Sequence, residues 1–269
     1  MSNKELQSVC NSLKELEDYL EQKALHHNCY KTYIYQERYE SLRKQEAIFL
    51  SNGRNWNDID DAMRLNGQKS KKLNFAICFS FSKSESVAMW MLYGGMNNTG
   101  VMIDFTRRQI QQLIDLEQIS LGYWQEGNYV EIKKLYHGEF DLCLTDVLYY
   151  SDPLEVIKRS DARCEMSDER IINGLSWRCK AYPWNYENEC RLVISIDRNR
   201  VQDARIDTVK LNIDDMLINL EKMGRVYQAP NNTTSRFQSS KLKGRINWNL
   251  CGRTCKKRKI RYRKKIENE

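Results

Sequence analysis

Histidine, proline and glycine are scarce in this chain of 269 residues, with 3, 3 and 12 copies respectively. So few prolines and glycines argue against a linker-rich or disordered protein, and 41% hydrophobic residues are enough for a real core. No run of 18 apolar residues occurs, and Met1-Ser2-Asn3-Lys4-Glu5 carries no apolar signal core. We therefore expect a soluble, cytoplasmic protein with no membrane partner. Three histidines (His26, His27, His137) leave little room for Ser/His or Cys/His hydrolase schemes. Only His137 remains for one, without a nucleophile-elbow pattern around it. The nine cysteines are odd in number and scattered, with no Cys-x-x-Cys. They read as reduced thiols, neither a disulfide framework nor a zinc site, and no metal is expected.

What charge there is lies at one end. Residues 253–269 hold nine basic and two acidic side chains, a surplus equal to the whole chain's +7, so residues 1–252 sum to zero. Arg253, Lys256, Lys257, Arg258, Lys259, Arg261 and Arg263, with Tyr262 among them, form a candidate nucleic-acid grip. The alternatives are a solvated end and a patch for an acidic protein partner.

Periodicity supplies the elements. Leu6, Val9, Leu13, Leu16 and Leu20 predict a helix over residues 4–25, packing on its own domain or docking a partner. Strands are predicted at 29–35, 47–51, 75–82, 100–105, 146–152 and 207–211, and helices at 37–46, from about 84, at 107–117, 154–180 and 214–223. Asn55 to Asp61 offers several caps for a loop or helix. Strands interrupted by helices predict an α+β fold, a mixed or antiparallel sheet core with inserted helices. We divide it into an N-terminal helix (1–28), an α+β domain (29–230), which the resemblance described below implies is catalytic, and a basic tail (231–269).

The stretch Cys179 to Ile196 organises the rest. Leu192, Val193, Ile194 and Ile196 predict a buried strand, and Pro183 an extended or turn segment before it. Glu187 and Glu189, two apart, would share one face of that strand, with Arg191 as a compensating cation. A surface ion pair is the plainer reading of the same residues.

Tyr30-Lys31, Trp56-Asn57-Asp58-Ile59-Asp60, Cys78-Phe79-Ser80, Met89-Trp90 with Tyr93, Gly100 to Phe105, Val147 with Tyr149, and finally Lys180, Trp184, Glu187, Glu189 and Arg191 follow one another in order. In this the chain resembles a widespread bacterial family, domain-of-unknown-function 2971, across about residues 29–196. Two positions depart from its pattern: Ile59 stands for the proline of an Asn-Asp-Pro turn, and Thr32 for the second tyrosine of Tyr-Lys-Tyr. The order of Tyr30/Lys31, Ser80-Phe81-Ser82 and Glu187-Asn188-Glu189 is also similar to that of the ADP-ribosyltransferase fold.

That resemblance implies transfer of ADP-ribose from NAD, with NAD as substrate. Glu189 would stabilise the positive charge that develops on the ribose, and Glu187 would orient or deprotonate the acceptor. Tyr30, Trp90 and Tyr93 would flank nicotinamide, Lys31 would meet the pyrophosphate, and Ser80 and Ser82 would support the ribose or Glu189. Trp90 also reads as a core anchor, and the serines as strand-end hydroxyls. The resemblance further implies an anti-phage toxin acting on mRNA, with a cognate antitoxin and a chaperone as partners. A non-catalytic nucleic-acid-binding module and an NAD glycohydrolase remain as rivals.

Deleting residues 253–269 should abolish salt-sensitive retention on RNA while leaving NAD consumption intact. Filter binding at two ionic strengths, beside an NAD assay, checks this.

Overall fold

The computed structural model describes residues 9–54, 56, 58–66, 71–93, 100–150, 163–164, 175–213 and 226–228. In chain order the first elements are β1 (Val9–Cys10), α1 (Leu13–Ala24), β2 (Tyr30–Ile34), α2 (Gln36–Gln45), β3 (Ala47–Ser51), α3 (Ile59–Leu65) and β4 (Lys72–Ser80). There follow α4 (Val87–Tyr93), β5 (Val101–Phe105), α5 (Arg107–Ile114), β6 (Gln118–Gln125), β7 (Asn128–Tyr136), β8 (Asp141–Asp146), β9 (Leu148–Tyr150) and β10 (Arg163–Cys164). The last are β11 (Cys179–Ala181), β12 (Glu189–Asp197), β13 (Thr208–Asn212) and β14 (Val226–Gln228). The fold is α+β, an antiparallel sheet with inserted helices and two short parallel ladders, β1 with β10 and β9 with β11.

The ten-stranded sheet branches at β4. Along one edge β4 pairs with β12 over nine residues, and β12 pairs in turn with β8. Along the other edge β4 meets two strands at different heights, β3 at Ala76 and β2 at Ser80. From β2 the sheet continues to β5 and β14, and from β3 to β13, β6 and β7.

Alternation along β12 separates two faces. Cys190, Leu192, Ile194 and Ile196 enter the main core with Tyr30, Phe75, Phe79 and Phe105. Glu189, Arg191, Val193 and Ser195 point the other way, opposite Ser80, Cys78, Ala76 and Asn74 of β4. That second face is covered in two patches. Tyr33, Met89, Trp90 and Met102 seat α4 over β2 and β5, while Leu65, Ala76, Val193 and Trp177 seat α3 over β4 and β12.

One helix begins at a cap within Asn55 to Asp61, and α5 begins at a cap of its own. Asp58 Oδ1 accepts from the Asp61 N–H to start α3, and Thr106 and Gln109 form a reciprocal capping box on α5. The first helix is shorter than the leucine spacing predicts. Val9–Cys10 is extended and pairs with β10, and Ser12 caps a helix that runs only from Leu13. Its Leu16 and Leu20 pack against Leu148, Leu175 and Cys179 of the body.

The charged stretch 154–180 is not helical at its end. Ser176–Arg178 is one 3-10 turn, and Cys179–Ala181 is extended because it pairs with β9. The rest of that stretch apart from 163–164 and 175, the helix expected at 214–223 and the basic tail lie outside the described residues. Strands β6, β7 and β8 carry no expectation from the sequence; β7 exposes most of its residues.

Gly122 lies at a register shift between β6 and β7, where a Cβ would stand 2.1 Å from the Val130 carbonyl oxygen and 2.7 Å from the Tyr129 ring. Gly122→Ala should therefore destabilise the fold by about 1–3 kcal/mol through overpacking. Urea unfolding checks this, with an unchanged midpoint as the contrary result.

Candidate functional site: a buried carboxylate cluster

Five ionisable side chains meet where β12 begins, between the two apolar patches. Arg191 is fully buried, and its guanidinium reaches in three directions. Nε donates to Glu189 Oε1 at 2.6 Å, while Nη1 and Nη2 form a fork on Asp61 at 2.8 and 2.6 Å. Nη1 also donates to the Trp177 carbonyl at 2.7 Å. Lys180 Nζ donates to Glu187 Oε2 at 2.6 Å and to Glu189 Oε2 at 3.1 Å, and stands 3.6 Å from Asp61 Oδ2.

Local structure delivers each group. The parallel ladder of β9 and β11 sets Tyr149 beside Lys180 in register. The Tyr149 hydroxyl accepts the Glu189 N–H at 3.0 Å, and the Tyr93 hydroxyl at the end of α4 donates to Glu187 Oε1 at 2.7 Å. The expectation that Glu187 and Glu189 share a strand face is corrected. Tyr182–Glu187 coils as a 3-10 turn with Pro183 at its start, and Asn188 is left-handed at φ 44° and ψ 62°. That single residue reverses the path, so both carboxylates converge on Lys180. The Asn188 carbonyl accepts from the Phe81 N–H, tying the turn to the strand beside it.

Across three neighbouring strands, Lys31, Ser80 and Glu189 stand in one register row and on one face. Lys31 donates to the Ser82 and Lys83 carbonyls at 2.8 and 3.2 Å, clamping the segment after β4. Ser80 is buried beside Glu189, whereas Ser82 lies past the strand end with its hydroxyl 3.4 Å from that of Ser84. Trp90 packs edge-on against Tyr33, its indole nitrogen buried without a hydrogen-bond partner among the described residues. Tyr30 is not brought to this cluster. Its ring lies in the core on the opposite face, and its hydroxyl donates to the Ala24 carbonyl. The half-buried rings around the cluster include Tyr93, Tyr149, Trp184 and Tyr186, with the Lys180 ammonium 4.9 Å from the Trp184 ring centre.

With three carboxylates and two cations, full ionisation leaves one surplus negative charge. The site resolves this unevenly. Burial, then the charge of Glu189, pushes the Glu187 carboxyl up to about 7, against the pull of Lys180 and Tyr93. Burial also acts to raise Glu189, but Arg191 and Lys180 outweigh it and hold that carboxyl well below the ordinary range. Burial raises Asp61 too, opposed by Arg191. Lys180 is disfavoured as a cation by burial, yet Glu189 and Glu187 outweigh that and raise it. One carboxylate is thus a fixed anion and its neighbour a proton holder.

Sequence reasoning missed Asp61, whose only local signal is its place in the first turn of a capped helix. Among the described residues, no helix is long and apolar enough to cross a membrane and no group of three His, Cys, Asp or Glu could hold a metal ion. A groove of about 610 Å³ opens farther along the same sheet face, lined by Glu17, Arg64, Asn74, Trp177, Arg178 and others but by neither Glu187 nor Glu189. No family model, curated protein or solved structure matches the chain.

The raised carboxyl has a thermodynamic signature. Between the ordinary value of 4.5 and about 7, folded Glu187 keeps a proton that the unfolded chain has lost. Stability therefore falls as pH rises through that window. Glu189 has the opposite sign, and its contribution is lost only as pH falls through and below its ordinary value. Glu187→Gln should flatten the downward slope between pH 4.5 and about 7 in a urea-midpoint series, to which raised Asp61 also contributes; a slope equal to the wild type's would count against this assignment.

Proposed function

We propose that this chain is an ADP-ribosyltransferase that takes NAD as substrate and modifies a nucleic acid, RNA before DNA. The observation that carries the reading is the register row Lys31–Ser80–Glu189 on adjacent strands, with Glu187 converging on the same lysine as Glu189. It gathers a cation, a hydroxyl and an ionised carboxylate, the groups that the motif order implies, onto one face. The half-buried rings of Tyr93, Trp184 and Tyr186 offer flat apolar surface beside the carboxylates, the kind of flank that nicotinamide requires.

In the proposed reaction the bond between ribose C1′ and the nicotinamide nitrogen breaks, and its electron pair leaves with nicotinamide. Positive charge develops on the ribose as this happens. Glu189 suits that charge because its cations keep it ionised at any working pH, and its energy counts more in the transition state than before it. The acceptor's nucleophilic atom then bonds to C1′ and gives its proton to Glu187. A carboxyl raised to about 7 is a far better base near neutrality than an ordinary one. The acceptor class rests on the basic tail, and the antitoxin, chaperone and anti-phage role rest on the family resemblance alone.

A second reading has its own observation. Both oxygens of Glu187 and both of Glu189 already have protein partners, as a purely structural ion network requires. In a non-catalytic module these groups would only tie β12 to β11, α3 and α4.

Incubation with isotopically labelled NAD and total RNA, DNA and protein separates the two. We expect label on RNA, reduced at least about 100-fold in a folded Glu189→Gln variant, with an acid limb of the rate near pH 7. Label on protein would keep the transferase and change the acceptor. Intact NAD and no label in any fraction would leave the structural network.

A further inference from the structure

Asp61 is nowhere near Glu189 in sequence, yet it determines what Glu189 can do. Its side chain is buried in the first turn of α3, a position fixed by the Asp58 cap. Both of its oxygens accept from the Arg191 fork, and the third nitrogen of that guanidinium is what grips Glu189 Oε1. The Trp177 carbonyl and the Trp56 ring, 5.3 Å from the guanidinium carbon, close the remaining sides. Arg191 is therefore held on every side, with its Nε on Glu189 Oε1.

We propose that Asp61 is a positioning residue for NAD cleavage, acting through the Arg191 guanidinium to fix the carboxylate of Glu189 at the head of β12. The proposal rests on the transferase reading and deepens it. Asp61 touches neither substrate nor acceptor in this scheme. Without its charge, two guanidinium nitrogens lose their anionic acceptor, and the cation is free to turn onto Glu189 with a different pair of donors. A planar fork is specific in a way that a lysine ammonium is not, so charge alone at position 191 would not preserve the geometry. Burying five charged groups costs several kcal/mol per ion, and hydrophobic replacement of such a network is often stabilising. A network of this cost is better explained by what it orients than by what it stabilises.

A merely structural Asp61 and a positioning Asp61 differ in the folded variant's kinetics: only the second lowers kcat with KM unchanged, while a change in the acid limb accompanies loss of the charge in either case. The groups facing the Asp61–Arg191 pair and Glu189 are Glu187, Lys180, Tyr93, Tyr149 and Cys78. Removing one negative charge from among them favours ionisation of the remaining carboxyls and moves the acid limb of activity to lower pH.

The test is release of nicotinamide from NAD by wild type, Asp61→Asn, Asp61→Glu and Arg191→Lys over the range from about pH 5 to pH 9, each checked for folding by circular dichroism. For Asp61→Asn we expect kcat to fall about 10- to 100-fold, KM to stay near wild type and the acid limb to move down. Asp61→Glu should bring the limb back and recover part of kcat. A folded Asp61→Asn protein with wild-type kcat, whatever its limb, overturns the proposal while leaving the transferase standing. If Asp61→Asn does not fold, Asp61→Glu decides: kcat below wild type with KM unchanged supports positioning, and wild-type kcat overturns it; Arg191→Lys, expected to lower kcat, checks the arginine's own part. A wild-type protein that never cleaves NAD overturns the transferase reading, and this proposal with it.

Discussion

A guanidinium with no exposure to water holds this molecule's polar centre together. Arg191 projects from the middle of the sheet into a space that would otherwise be apolar, and there its charge is bearable only with anions in contact. Asp61 arrives from a helix far upstream and Glu189 from the same strand, and between them they account for the arginine's three nitrogens. Once that pair of contacts exists, the placement of α3 over β12 is no longer a matter of greasy surface alone. Leu65 and Trp177 set the distance, and the fork sets the angle.

The branching of the sheet gives the cluster its shelter. Because β4 is joined by β2 near one end and by β3 lower down, the polar face divides into two hollows, each filled by a helix. The charged row falls on the ridge between them. The placement lets aromatic rings close in on the carboxylates from α4 and from the 3-10 turn. It also explains why the core face of the same strands is so uniformly apolar: alternation sends every second residue of β12 to one environment or the other.

Much of this was legible from residue pattern. The strand from Leu192 to Ile196, the alternation of Phe75 to Phe79, and a cap within Asn55 to Asp61 are local signals with local outcomes. Arg191 could be assigned to the face of Glu189 because a period of two carries over a strand. What failed were inferences that assumed one regular element where two meet. The leucine spacing ran through Asn11-Ser12, where a cap starts a new element, and the charged run before β12 looked helical although Cys179–Ala181 is claimed by β9. Asp61 could not have been found this way. Its partner is 130 residues distant, and nothing in its own neighbourhood distinguishes a ligand of arginine from an ordinary helix-end carboxylate. Strand β7 escaped for the opposite reason, since exposure had erased the alternation that marks a buried strand.

The left-handed residue between the two glutamates restricts how this chain can vary over time. Asparagine tolerates that region of backbone space, glycine does so freely, and β-branched residues pay heavily for it. Position 188 is therefore not a free letter in an otherwise fixed word. A lineage that drifted to valine or isoleucine there would keep both carboxylates in its sequence while losing their common target, because Glu187 would be drawn into the strand and away from Lys180. Descendants bearing the intact pair of acids around a stiff central residue would look unchanged in an aligned motif and have lost the site.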